Sequence, residues 1–135
     1  MLFDRLQTSI PLLALALGLA FSVQARADQQ HCPPSSPGNS QVVCGNGCDP
    51  NADKARLESL AVSIKKTKAP VCLLAMVDPQ DRGYSKKLAI KRALWVRDTL
   101  IEHGVLSNSI AVELRPLPPD GDKMSLRHID VILGQ

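Results

Sequence analysis

The 135-residue chain reads as an α/β (α+β) sandwich in β-α-β-α-β-β order, a small mixed sheet with two helices on one face. Three observations predict this. The run "VCLLAMV" at 71–77 is apolar from end to end, the pattern of a strand covered on both faces. Two longer segments, one on each side of it, carry apolar residues at helical spacing. Two alternating stretches then close the chain. Helices separated by strands favour helices layered on a sheet over a helical bundle.

The elements follow in order. "VVCGNGCDPNAD" predicts a short edge strand running into a turn, with Asp49 or Asn51 starting a helix. In "ADKARLESLAVSIKKTK", Leu57, Leu60, Ala61 and Ile64 form one stripe, while Lys54, Glu58, Lys65 and Lys66 lie outside it. Pro70 follows that helix. The second helix covers 84–103, with Leu88, Ala93, Val96 and Leu100 on its apolar side and Gly104 as its stop. Tyr84, one turn before Leu88, and Trp95 read as packing residues. "SIAVELR" at 109–115 alternates as a strand. "PLPPDGDKM" is a loop or constrained excursion, and "LRHIDVIL" predicts the last strand.

Three regions divide the chain. Residues 1–27 have the form of a signal peptide. The run "SIPLLALALGLAFSV" is shorter than the roughly 20 apolar residues a spanning helix needs, and Ala25-Arg26-Ala27 suggests cleavage before Asp28. The residues before Cys32 are "QQH", not the small apolar ones of a lipoprotein signal. Residues 28–41, rich in proline and serine, are a polar arm, and 42–135 form the domain. Beyond the signal, fourteen basic and twelve acidic side chains leave a net charge of about +2. That balance is too mild to predict a nucleic-acid partner, and no dense basic run supports one.

Cys32, Cys44, Cys48 and Cys72 all follow the signal segment. An even cysteine count in an exported chain predicts disulfides, and the three complete pairings of four cysteines all stay open. "CGNGC" has three residues between its cysteines and is not a thioredoxin-like motif. A zinc site would need His31 to join the cysteines, and no paired ligand knuckles are present.

The chain has no nucleophile elbow, phosphate-cradling loop or HExxH pair. Cys72 lies inside an apolar strand, a poor place for a reactive thiolate. Asp78 and Asp81 share a short polar turn, which is weak support for two-carboxylate glycoside chemistry. Neither an enzyme nor a cofactor is expected.

The stretch "LAMVDPQDRGYSKKLAIKRALWVRDTL", followed by "HGVLSNSIAVE" and "LRHIDVI", resembles the OmpA-like, peptidoglycan-associating domain of bacterial envelope proteins. The resemblance covers about residues 42–133. Asp78 matches the aspartate after the central strand, Arg92-Ala93 the Arg-Ala pair of the following helix, and Arg127 the first arginine of the terminal strand. Tyr84 and Leu88 match apolar anchors, and Gly104 a turn glycine. The departures are specific. "AMV" stands where the family has Gly-His-Thr, and Asp81 lies where glycine is common. Ser85 and Ala89 replace an Asn and a Ser, and Leu126 and His128 replace an Asn and the second Arg.

The resemblance implies a periplasmic envelope protein that grips the diaminopimelate head of the peptidoglycan stem peptide. In that reading Asp78 takes the ammonium and Arg92 forms a bidentate pair with the carboxylate. Arg127 is a third candidate, with Asp81, Tyr84 and His128 in support. The alternative is a degenerate scaffold subunit of an outer-membrane or secretion complex that binds envelope proteins. The residues themselves leave simpler roles open: Asp78 as a turn cap or as the ion-pair partner of Arg92, and Lys86, Lys87 and Lys91 as a solvated helix face.

Overall fold

The computed structural model describes residues 32–44, 49–81 and 83–134. The signal segment, the start of the arm with His31, and Cys48 lie outside them. The elements are β1 (Ser40–Val43), α1 (Pro50–Thr67), β2 (Val71–Val77), α2 (Tyr84–Glu102), β3 (Ile110–Pro116) and β4 (Ile129–Leu133). This is the expected β-α-β-α-β-β order, and β1 starts at Ser40, within the stretch read as arm. The strands form one sheet in the order β1-β4-β2-β3. β4 runs antiparallel to both neighbours. β2 and β3 are parallel, and α2 is the crossover that such a pair needs.

Local chemistry sets the helix ends. Asp49 is the N-cap of α1, its carboxylate accepting from the backbone N–H groups of Asn51 and Ala52 at 3.1 and 3.2 Å. Lys68 ends the helix in the left-handed conformation and donates its N–H to the Ile64 carbonyl. Asp53, in the first turn, is buried, and its Oδ2 has no hydrogen-bond partner among the described residues. The positive end of the helix favours a carboxylate there. α2 stops at Gly104, whose φ of +93° suits glycine.

Both faces of β2 are covered, by different means. On one face Val71, Leu73 and Ala75 pack with Val43, Ile129 and Val131 of the other strands. Leu57, Leu60, Ala61 and Ile64 of α1 and Ala89, Ala93, Val96 and Leu100 of α2 close over them. The stripe expected on α1 is therefore the buried one. On the other face Cys72, Leu74 and Ile132 cluster with Cys32 from the arm. A disulfide joins Cys32 to Cys72. The arm is also held by Glu113, which accepts the Cys32 N–H at 2.9 Å, and by Asn39, whose carbonyl accepts the Leu133 N–H at 2.8 Å. Cys44 is disulfide-bonded as well.

Two sequence expectations change. Tyr84 does not pack: it is 72% exposed. The buried stripe of α2 begins at Ala89, and Tyr84 lies about 150° around the helix from that stripe at about 100° per residue. Trp95 does pack against the core. The final strand is shorter than "LRHIDVIL". Lys123–Arg127 form a 3-10 turn, capped by Asp122 Oδ1 accepting the Met124 N–H at 2.9 Å, and β4 begins at Ile129.

Two stability measurements follow. Asp49→Ala should lower unfolding free energy by about 1 kcal/mol, as loss of an N-cap does, read from denaturant midpoints at constant m. Replacing Cys32 and Cys72 together by Ser should cost more, about 4 kcal/mol in the chain-entropy account for a separation of 40 residues. A melting temperature unchanged by the double substitution would show that the arm does not stabilise the sheet.

Candidate functional site

The C-terminal end of β2 opens into a turn whose polar groups answer one another. The Asp78 N–H donates to Ser85 Oγ at 3.0 Å, tying the strand exit to the first turn of α2. Asp78 Oδ1 accepts the Gln80 N–H at 2.9 Å, and the Asp78 carbonyl accepts the Asp81 N–H at 3.2 Å. Asp78 is therefore a turn-forming residue, as the simpler reading held. Its Oδ2 has no partner among the described residues.

Asp81 sits two residues before Gly83, the N-cap of α2. Its Oδ1 accepts from the Tyr84 N–H at 3.1 Å and its Oδ2 from the Ser85 N–H at 3.2 Å. A carboxylate at the positive end of a helix is favoured by the aligned peptide dipoles. These amides would otherwise be donors for an external anion, and Asp81 already fills them. Gly83, at φ +110°, lets the chain turn into the helix with Asp81 so placed. Lys86, Lys87 and Lys91 are exposed, as a solvated helix face would be.

Arg92 lies two turns into α2 and is half-buried. Its Nη1 donates to the Leu126 carbonyl at 2.9 Å, across 34 residues of sequence. Among the described residues it makes no ion pair with Asp78. A guanidinium has five N–H donors in a rigid fork, so this bond leaves others available. Arg127 ends the 3-10 turn and is exposed, with no ion pair among the described residues. His128 Nε2 stands 3.6 Å from Asp130 Oδ1. The fold thus gathers Asp78, Asp81 and Tyr84 at one turn and brings Arg92 to the turn preceding β4. It directs His128 toward Asp130.

Beside Asp78 is a groove of about 280 Å³. Asp78, Pro79 and Gln80 form one wall. Leu117, Pro118, Pro119, Gly121, Lys123 and Leu126, from the excursion between β3 and β4, form the other. The volume is at the small end for ligand sites and suits a compact polar head. Sequence reasoning misses this wall. The proline density of "PLPPDGDKM" signals a stiff excursion, but no local pattern says that it folds back over Asp78. Ser85 likewise stands out in the sequence only as a departure from an Asn, yet its hydroxyl locks the loop.

No family model and no curated relative matches the chain. Solved structures do. The OmpA-like domain of FopA1 from Francisella tularensis superposes with a TM-score of 0.51 at 16% identity, over 73% of this chain and 79% of that one. The C-terminal domain of Helicobacter pylori MotB gives a TM-score of 0.52 at 16% identity, covering 76% and 86%. The peptidoglycan-associated lipoprotein from Burkholderia pseudomallei gives 0.52 at 20% identity, covering 70% and 89%. Such identities speak to architecture, and the architecture agrees with the four-stranded mixed sheet and paired helices described above: the chain carries a domain of the OmpA-like fold.

Proposed function

We propose that this chain is a non-catalytic periplasmic envelope protein that binds the peptidoglycan stem peptide by its diaminopimelate head. The observation that carries this reading is the half-buried Asp78, lining a groove at the exit of the central strand of an OmpA-like fold. One of the structural neighbours is, by name, peptidoglycan-associated. Asp78 Oδ2 takes the ammonium of the head, and Arg92 offers the guanidinium donors not used by Leu126 to its carboxylate. Strand exit and helix are rigid supports, so the two charges are held in place before the ligand arrives. Arg127 adds a positive charge at the adjacent turn, and the exposed ring of Tyr84 stands at the start of α2.

A second reading has one observation in its favour. Arg92 is used to hold the Leu126 carbonyl, a structural task, and is not itself part of the groove wall. In that reading the domain is a scaffold that binds another envelope protein. The exposed apolar side chains of Ile90 and Leu94 on α2 would serve such a contact.

Cosedimentation with purified insoluble peptidoglycan separates the two. Asp78→Ala and Arg92→Ala should each weaken retention about tenfold or more, as loss of a charge-assisted hydrogen bond does. Arg92→Lys should fall between wild type and Arg92→Ala, because it keeps the charge and loses the fork. Folded wild-type protein that stays in the supernatant would refute peptidoglycan binding and leave the scaffold reading, which crosslinking in native envelopes would then test.

A further inference from the structure

The groove contains a cation that the family resemblance does not supply. Lys123 opens the 3-10 turn before β4 and lines the same groove as Asp78. Its side chain is exposed and makes no ion pair among the described residues. The same groove is lined by Gln80, Leu117, Pro118 and Leu126, which carry no charge. A groove with an anion on one wall and a cation on the other matches a zwitterionic amino-acid head in both signs.

The segment that presents Lys123 is tied down at several points. The Leu117 N–H donates to the Val77 carbonyl at 2.8 Å, anchoring the start of the excursion to the end of β2. Arg92 holds the Leu126 carbonyl at the other end. Between them, Asp122 Oδ1 caps the turn by accepting the Met124 N–H at 2.9 Å. Gly121 packs so closely that a Cβ would come within 2.7 Å of Leu117 Cδ1. A charge on a segment fixed in this way loses less entropy on binding than one on a free loop.

We infer that Lys123 is a specificity-determining residue of this site, reading the carboxylate of the amino-acid head while Asp78 holds its ammonium. Arg92 then acts in two ways, as a partial donor to the ligand and as the positioning residue for the wall that carries Lys123. The inference rests on the proposed binding of the diaminopimelate head, and it distributes the recognition of charge differently from a simple Asp78–Arg92 clamp.

A pair of synthetic ligands tests it: a stem tripeptide ending in diaminopimelate, and the same peptide with the head carboxylate converted to the carboxamide. Binding of each to the folded full domain is measured by calorimetry. Wild type should prefer the carboxylate about tenfold, the factor one charge-assisted contact gives. Lys123→Gln should bind the carboxylate peptide several-fold more weakly and keep only the smaller preference that the Arg92 donors give, with an unchanged melting temperature. Lys123→Arg should restore the preference. Full discrimination retained by Lys123→Gln would overturn the inference. If Asp78→Asn still weakened binding of both peptides, the proposed function would stand without it. Wild type that binds neither peptide would overturn the proposed function and this inference with it.

Discussion

Leu73 is fully buried in a strand packed from two sides at once, and that double burial organises the molecule. The helices supply one cover, and the stapled arm supplies the other. A fully buried Val or Leu side chain contributes about 1.5–3 kcal/mol. A surface ion pair such as Arg97–Asp98 contributes about 0–1 kcal/mol. The packing of β2 therefore outweighs the surface charges in deciding the fold. It also decides the site, since Asp78 is the first residue past the strand that carries this buried run. A strand that cannot shift gives a carboxylate that cannot shift, and Ser85 then fixes the peptide unit on which that carboxylate is carried.

The helices do not cover both faces, and the protein meets that deficit covalently. A sheet face with no helical layer would expose apolar surface, here Leu74 and Ile132, which are buried in the cluster with Cys32 of the arm. Residues 32–39 of the irregular arm have little periodic structure with which to bury it. The disulfide to Cys72, the Cys32 N–H donated to Glu113 and the Leu133 N–H accepted by the Asn39 carbonyl hold that arm down despite its poor intrinsic order. Cys72 thus lies inside the strand for a reason of geometry: its side chain points away from the helices, to the face that needs a cover.

Much of this is legible in the residues. The α1 stripe and the β2 run are encoded by burial, and burial leaves a period in the chain. The order of six elements follows from that period. Tyr84 is misread because an apolar spacing is carried one turn too far, past the point where α2 faces the core. Residues 126–128 alternate like a strand, but Leu126 and Arg127 end a tight turn that Asp122 caps and whose Leu126 carbonyl Arg92 holds. One of those partners is 34 residues away, and no window of sequence contains both ends. The approach of the Pro-rich excursion to Asp78, and the choice among cysteine pairings, are hidden for the same reason. Both are distances between segments, and spacing along the chain does not report them.

The order β1-β4-β2-β3 has a consequence for how the molecule is assembled. β4 comes last in the order of elements and occupies the middle of the sheet, where it is the only described strand that pairs with β1. In a chain that has not yet added β4, β2 and β3 can pair, but β1 has no neighbour among the described strands. The apolar surfaces of an unfinished chain are thus left open, the state in which aggregation competes with folding. The Cys32–Cys72 link encloses β1 and α1 and needs nothing from β4. Once formed, it keeps β1 close to the gap into which the last strand must insert, shortening the search for a contact that chain order would otherwise make slow.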